Sequence, residues 1–140
     1  MTESGGGSGA THKKSLQLIL ARELAANLAT PMFLIDEEGM LVYFNEAAEL
    51  MLGRTFAEVG QMTANEFGTK LQLAELDGSP MRRRDSPAGV AFLQRQPSHR
   101  TVLATSLDGS RRPFEVTAYP LFGKVGEMHG VLTVFWEADR

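Results

Sequence analysis

The stretch from Met32 to Gly53 places the tightest constraint on the fold. Met32-Phe33-Leu34-Ile35 is a short apolar run, Asp36-Glu37-Glu38-Gly39 is turn chemistry, and Met40-Leu41-Val42-Tyr43-Phe44 is a second β-rich run. The pair reads as a hairpin. Asn45 follows at once and suits a helix start, because its amide oxygen can accept from an orphan backbone N–H. Glu46 then sits at the positive end of the helix dipole, and Gly53 supplies a left-handed stop after Leu52.

Upstream the period is helical. Leu16, Ile19, Leu20, Leu24 and Leu28 recur at helix spacing behind Ser15, a suitable N-cap, and Thr30-Pro31 ends the run because the residue before proline is pushed out of the α region. Residues 1–14 are a Gly- and Ser-rich leader with little apolar surface to offset the entropy of ordering. The expected organisation is therefore a leader over 1–14, a flanking amphipathic helix over 15–29 and one domain over 30–140.

Downstream, Arg54 to Gln72 is interrupted by Gly60 and Gly68 and predicts one or two short helices. Ser86-Pro87 opens a further helix to about Gln96. The last third alternates with period two. Phe114, Val116 and Ala118 share one face of a strand that pairs with His99–Ser106 across the Asp108-Gly109 turn. A closing strand from Gly130 to Glu137 sets Val131, Thr133 and Phe135 against Leu132, Val134 and Trp136. The order is helix, two strands, short helices, three strands, which predicts an α+β domain with one antiparallel sheet and the helices on one side.

Composition excludes several function classes. The 140 residues carry 14 Lys plus Arg against 17 Asp plus Glu, a net charge of −3, which lacks the basic footprint of a nucleic-acid surface. No cysteine is present, so disulfides, thiolate metal sites and cysteine nucleophiles are ruled out. No apolar run is long enough for a membrane span and Met1–Ala10 has no signal-peptide core, so a cytoplasmic protein without membrane contact is expected. The Gly5–Gly9 run lacks the lysine and preceding strand of a phosphate loop, and the carboxylates sit in turns; no enzymatic activity is expected.

The hairpin Phe33–Phe44, the following Asn45-Glu46-Ala47-Ala48-Glu49-Leu50-Met51-Leu52-Gly53, the Asp77-Gly78-Ser79-Pro80 and Asp108-Gly109-Ser110 turns, Val116–Leu121 and Gly130–Phe135 together resemble a PAS domain, the sensory module of many signalling proteins. The resemblance spans about Leu24 to Asp139. It implies a five-stranded antiparallel sheet in the order 2-1-5-4-3 with short helices over one face and a flanking helix or partner on the other. It also implies a role in sensing and dimerisation in signal transduction, with a ligand or a signalling effector protein as partner. The Asp-Ile-Thr-like strand end of the family is Glu137-Ala138-Asp139 here, and with Arg140 as the last residue no output domain is expected to follow.

The resemblance also frames the cofactors. A flavin-bonding member needs a cysteine that this chain lacks; a haem-binding member places a histidine on the helix Ser86–Gln96, which has none, so His99 at the start of the next strand is the nearest axial candidate and a haem-based sensor is the least favoured reading. His99, His12 and His129 are isolated, so no metal site is expected and the cofactor stays unknown. Phe44, Met51, Phe67, Phe92, Phe114, Val116, Leu132 and Val134 are candidates to line a pocket between helices and sheet, with Asn65 and Thr69 as polar neighbours. A filled core is the favoured reading of the same residues, since apolar side chains at structural periods are needed merely to fold; the protein would then be a purely structural dimerisation module. If a pocket exists, its walls favour a small hydrophobic guest. Arg82-Arg83-Arg84 reads as a solvated loop. Leu16, Ile19, Leu20, Leu24 and Leu28 are the candidate homodimer interface, the alternative being that this helix covers its own sheet.

Overall fold

A computed structural model describes residues 16–26 and 29–138. The leader, Ser15 and Leu28 lie outside the described residues, as does the side chain of Leu16. The elements run α1 (Leu16–Ala26), β1 (Met32–Asp36), β2 (Met40–Phe44), α2 (Glu46–Leu52), α3 (Phe56–Val59), β3 (Met62–Thr63) and α4 (Ala64–Lys70). A 3-10 turn at Arg83–Asp85, α5 (Pro87–Gln94), β4 (Ser98–Thr105), β5 (Arg111–Phe122) and β6 (Met128–Glu137) complete the described chain.

The sheet is antiparallel in the order β3-β2-β1-β6-β5-β4. The five expected strands stand in the expected order; the addition is β3, two residues that pair Thr63 with Met40 and Met62 with Leu41 at the edge. A two-residue strand leaves no alternation to read. In the centre, Phe33 pairs with Phe44 on one side and Thr133 on the other, and Val116 pairs with Phe135.

Local chemistry fixes the short helices. Asn45 caps α2 by accepting from Ala48 N at 3.0 Å, and Gly53 ends it at φ +85°. Thr55 and Thr63 open α3 and α4 with reciprocal capping boxes to Glu58 and Glu66. The backbone N–H of each threonine, followed by its hydroxyl, holds the matching carboxyl below its ordinary pKa. Gly60 separates these helices as expected, whereas Gly68 lies inside α4, where the box and the burial of Phe67 outweigh glycine's poor propensity.

Two layers result. On the inner face, Leu41, Phe44, Phe67, Phe114 and Phe135 form a packed cluster with Leu52 of α2. Phe44 packs edge-on to Phe56 at 5.2 Å and stacks with Phe67 at 6.0 Å between ring centroids. On the outer face, α1 places Leu18 and Ala21 over Leu34, Leu121 and Leu132.

Candidate functional site

The packed cluster covers only part of the inner face. Between α4, the 3-10 turn, α5 and the sheet lies a partly open cavity of about 970 Å³ beside the packed cluster. The helices α4 and α5 are too short to tile the sheet, and the Asp77–Pro80 turn and the 3-10 turn between them give few side chains to fill the gap. Its floor is apolar: Phe33 and Ile35 of β1, Val102 of β4, Phe114 and Val116 of β5, and Phe135 of β6. Phe67 and Phe92 close it from the helices. Cavities of about 300–1,000 Å³ with such walls suit small-molecule guests.

Polar residues are a minority of the lining, with Glu38 and Ser106 beside those of α4, the residues after it and the start of α5. Asn65, Thr69 and Gln72 come from α4 and the residues after it, and Thr69 Oγ1 donates to Asn65 O at 3.0 Å. Arg82, Arg83 and Arg84 border the cavity with exposed side chains, while Ser86, Pro87, Ala88 and Gly89 at the start of α5 form the adjoining wall. Gly89 is required here, since a Cβ would stand 2.0 Å from Arg83 O. Ser86 Oγ accepts from Gly89 N at 3.0 Å and donates to Arg83 O at 2.8 Å, so one serine locks the 3-10 turn to α5.

Of the expected pocket residues, Phe67, Phe92, Phe114 and Val116 line the cavity, as do Asn65 and Thr69. Phe44 and Met51 belong to the packed cluster beside it. Leu132 and Val134 are corrected: they alternate with the inward Val131, Thr133 and Phe135, and Leu132 packs against α1 on the outer face. Sequence reasoning missed Phe33, Ile35 and Phe135, although the alternation of β6 had already separated Phe135 from Leu132 and Val134. It also read Arg82–Arg84 as a solvated loop without placing it at the cavity.

His99 lies on the outer face of β4, away from the cavity, with Nε2 2.8 Å from Glu115 Oε1 and Nδ1 2.6 Å from Thr117 Oγ1. His129 Nε2 is 3.5 Å from Glu127 Oε1, and His12 lies outside the described residues. Among the described residues no three histidine or carboxylate groups come together as metal ligands. No described helix is long and apolar enough to cross a membrane.

In the candidate interface, α1 turns Leu18 and Ala21 to its own sheet and leaves Ile19, Leu20 and Leu24 exposed at 47%, 58% and 54%. The covering role thus falls to neighbours of the proposed stripe, with Leu20 and Leu24 on the open side. At the other end of the sheet, Glu137 Oε1 accepts from Arg112 Nη1 at 3.1 Å, and Arg112 Nη2 donates to Met51 O in α2 at 3.3 Å.

A PAS domain family pattern matches residues 29–135. No curated protein matches the chain. Among solved structures, a PAS domain from Colwellia psychrerythraea aligns with TM-score 0.61 at 14% identity, over 86% of this chain and 96% of that one. The PAS domain of nitrogen regulation protein NR(II) from Vibrio parahaemolyticus aligns with TM-score 0.60 at 16% identity, over 85% and 98%. The light-state dimer of the fungal blue-light photoreceptor Vivid aligns with TM-score 0.60 at 19% identity, over 86% and 91%.

Proposed function

The chain belongs to the PAS domain family, a family of sensory and generally non-catalytic modules of signalling proteins, and on that premise we propose that it senses a small, largely apolar ligand in the cavity under α4 and α5. One observation carries the reading: about 970 Å³ stays open where a structural module would bury side chains. The cavity floor is the inner face of the same strands whose outer face carries α1, so occupancy can bias how that helix sits and how a cytoplasmic effector meets it. Ala104→Phe tests this, because the buried Ala104 borders the cavity and a phenyl ring has open space to enter. Native mass spectrometry is expected to find a reproducible bound mass on the purified natural chain and none on a folded Ala104→Phe chain. The same bound mass on both chains would defeat the reading.

A second observation favours homodimerisation as the output. Ile19, Leu20 and Leu24 are exposed on a helix already docked through Leu18 and Ala21, an apolar strip that a second copy would cover. The Vivid structure, with the same fold, is a dimer. The double substitution Leu20→Glu, Leu24→Glu is expected to leave circular dichroism unchanged, since neither side chain is buried in one copy, and to convert a sedimenting dimer into a monomer. A folded variant that still sediments as a dimer would remove α1 from the interface.

A further inference from the structure

The cavity is lined by two chemically different sets of residues, one of them the apolar Phe33, Ile35, Phe67 and Phe135. The rim carries three consecutive arginines in a chain whose net charge is −3, so the positive charge is local and runs against the whole. Arg82 lies 3.6 Å from Asp85, the arginine side chain largely in solvent and the aspartate about half exposed. Arg83 and Arg84 make no ion pair among the described residues, although Arg100 and Arg112 each find a glutamate.

The backbone beside them has the same sign. The eight-residue α5 begins at this wall, and its positive end faces the rim through Pro87, Ala88 and Gly89. Ser86 already occupies Gly89 N, and Pro87 has no N–H, which leaves the amide of Ala88 as the first-turn donor at the wall with no partner among the described residues. Among the described residues Glu38 is the one acid bordering the cavity.

Resting on the pocket reading above, we propose that the ligand is an anionic amphiphile: an apolar chain or ring in the cavity, and a carboxylate or phosphate held at the rim by Arg83 and Arg84 beside the start of α5. An uncharged apolar guest would leave those two guanidiniums without a counter-charge. An anionic head supplies one, and charge-assisted hydrogen bonds to arginine are stronger than neutral ones.

Calorimetric titration of the full chain with octanoate, octyl phosphate and 1-octanol tests the proposal, the first two distinguishing a carboxylate from a phosphate head. At least one anion is expected to bind about tenfold or more tightly than 1-octanol, as hydrogen bonds to a charged group allow. In the double variant Arg83→Gln, Arg84→Gln that advantage is expected to vanish while 1-octanol binds unchanged, and Arg83→Lys, Arg84→Lys is expected to restore part of it. Both side chains are exposed, so the variants keep the fold, which circular dichroism checks. Equal affinities for anion and alcohol, or an advantage that survives the glutamine variant, overturn the proposal and leave the apolar pocket standing. Binding of none of the three overturns the pocket reading together with it.

Discussion

Asn45→Ala is expected to destabilise the domain by about 3 kcal/mol, seen as a lower urea midpoint at unchanged slope. Asn45 is 1% exposed and joins three pieces of chain. Its Oδ1 accepts from Ala48 N at 3.0 Å and from Met32 N at 3.0 Å, while Nδ2 donates to Thr30 O at 2.9 Å. Alanine removes the cap of α2, worth about 1 kcal/mol, and strands the buried Met32 N, at about 1–3 kcal/mol, while the carbonyl of the exposed Thr30 can turn to water. Asn45→Ser keeps a cap for Ala48 but is too short to serve all three partners, so its loss should fall between the two. An alanine chain as stable as the natural one would show that water replaces the side chain.

Gly130→Ala is expected to cost a comparable amount, about 2–4 kcal/mol, by a different route. Gly130 has φ +152°, and a Cβ there would stand 2.4 Å from the backbone oxygen of Ile35 and 3.2 Å from Leu18 Cδ1. Backbone cannot yield as a side-chain tip can, so β1 and β6 must part where Asp36 pairs with Gly130. Because Leu18 lies in the way too, hydrogen exchange should quicken in α1 as well as at the strand ends. A variant that melts normally and protects α1 normally would refute this account.

The legible parts of the fold were those written in local chemistry. The Asp36–Gly39 turn, the Asn45 cap, the Gly53 stop and the Ser86-Pro87 start each need a particular residue at a particular dihedral, and the structure has them there. Strand faces were also legible, since Phe114 and Val116 alternate with polar residues. In β6 the rule was ambiguous, because Leu132 and Val134 are as apolar as Val131 and Phe135; one face meets the cavity and the other has α1 to cover it. Which face is inside depends on a helix more than a hundred residues earlier in the chain. The same holds for Arg82–Arg84: the triplet reads as a loop until α4, α5 and the sheet are set around it. The exposure of Leu20 and Leu24 followed from which flank of α1 docks, and Leu18 with Ala21 compete well for that place.

The sheet is one backbone thick between cavity and helix, and this imposes a symmetry on any signal passing through it. Neighbouring residues of β6 face opposite ways, with Phe135 and Val131 inward and Leu132 under α1. Binding free energies form a closed cycle. If an occupied cavity favours one seating of α1 by some factor, fixing α1 in that seating must raise the affinity of the cavity by the same factor. Under the proposed coupling, a partner that clamped the helix would also be an effector of ligand affinity, and information would pass from the helix to the cavity as readily as from the cavity to the helix.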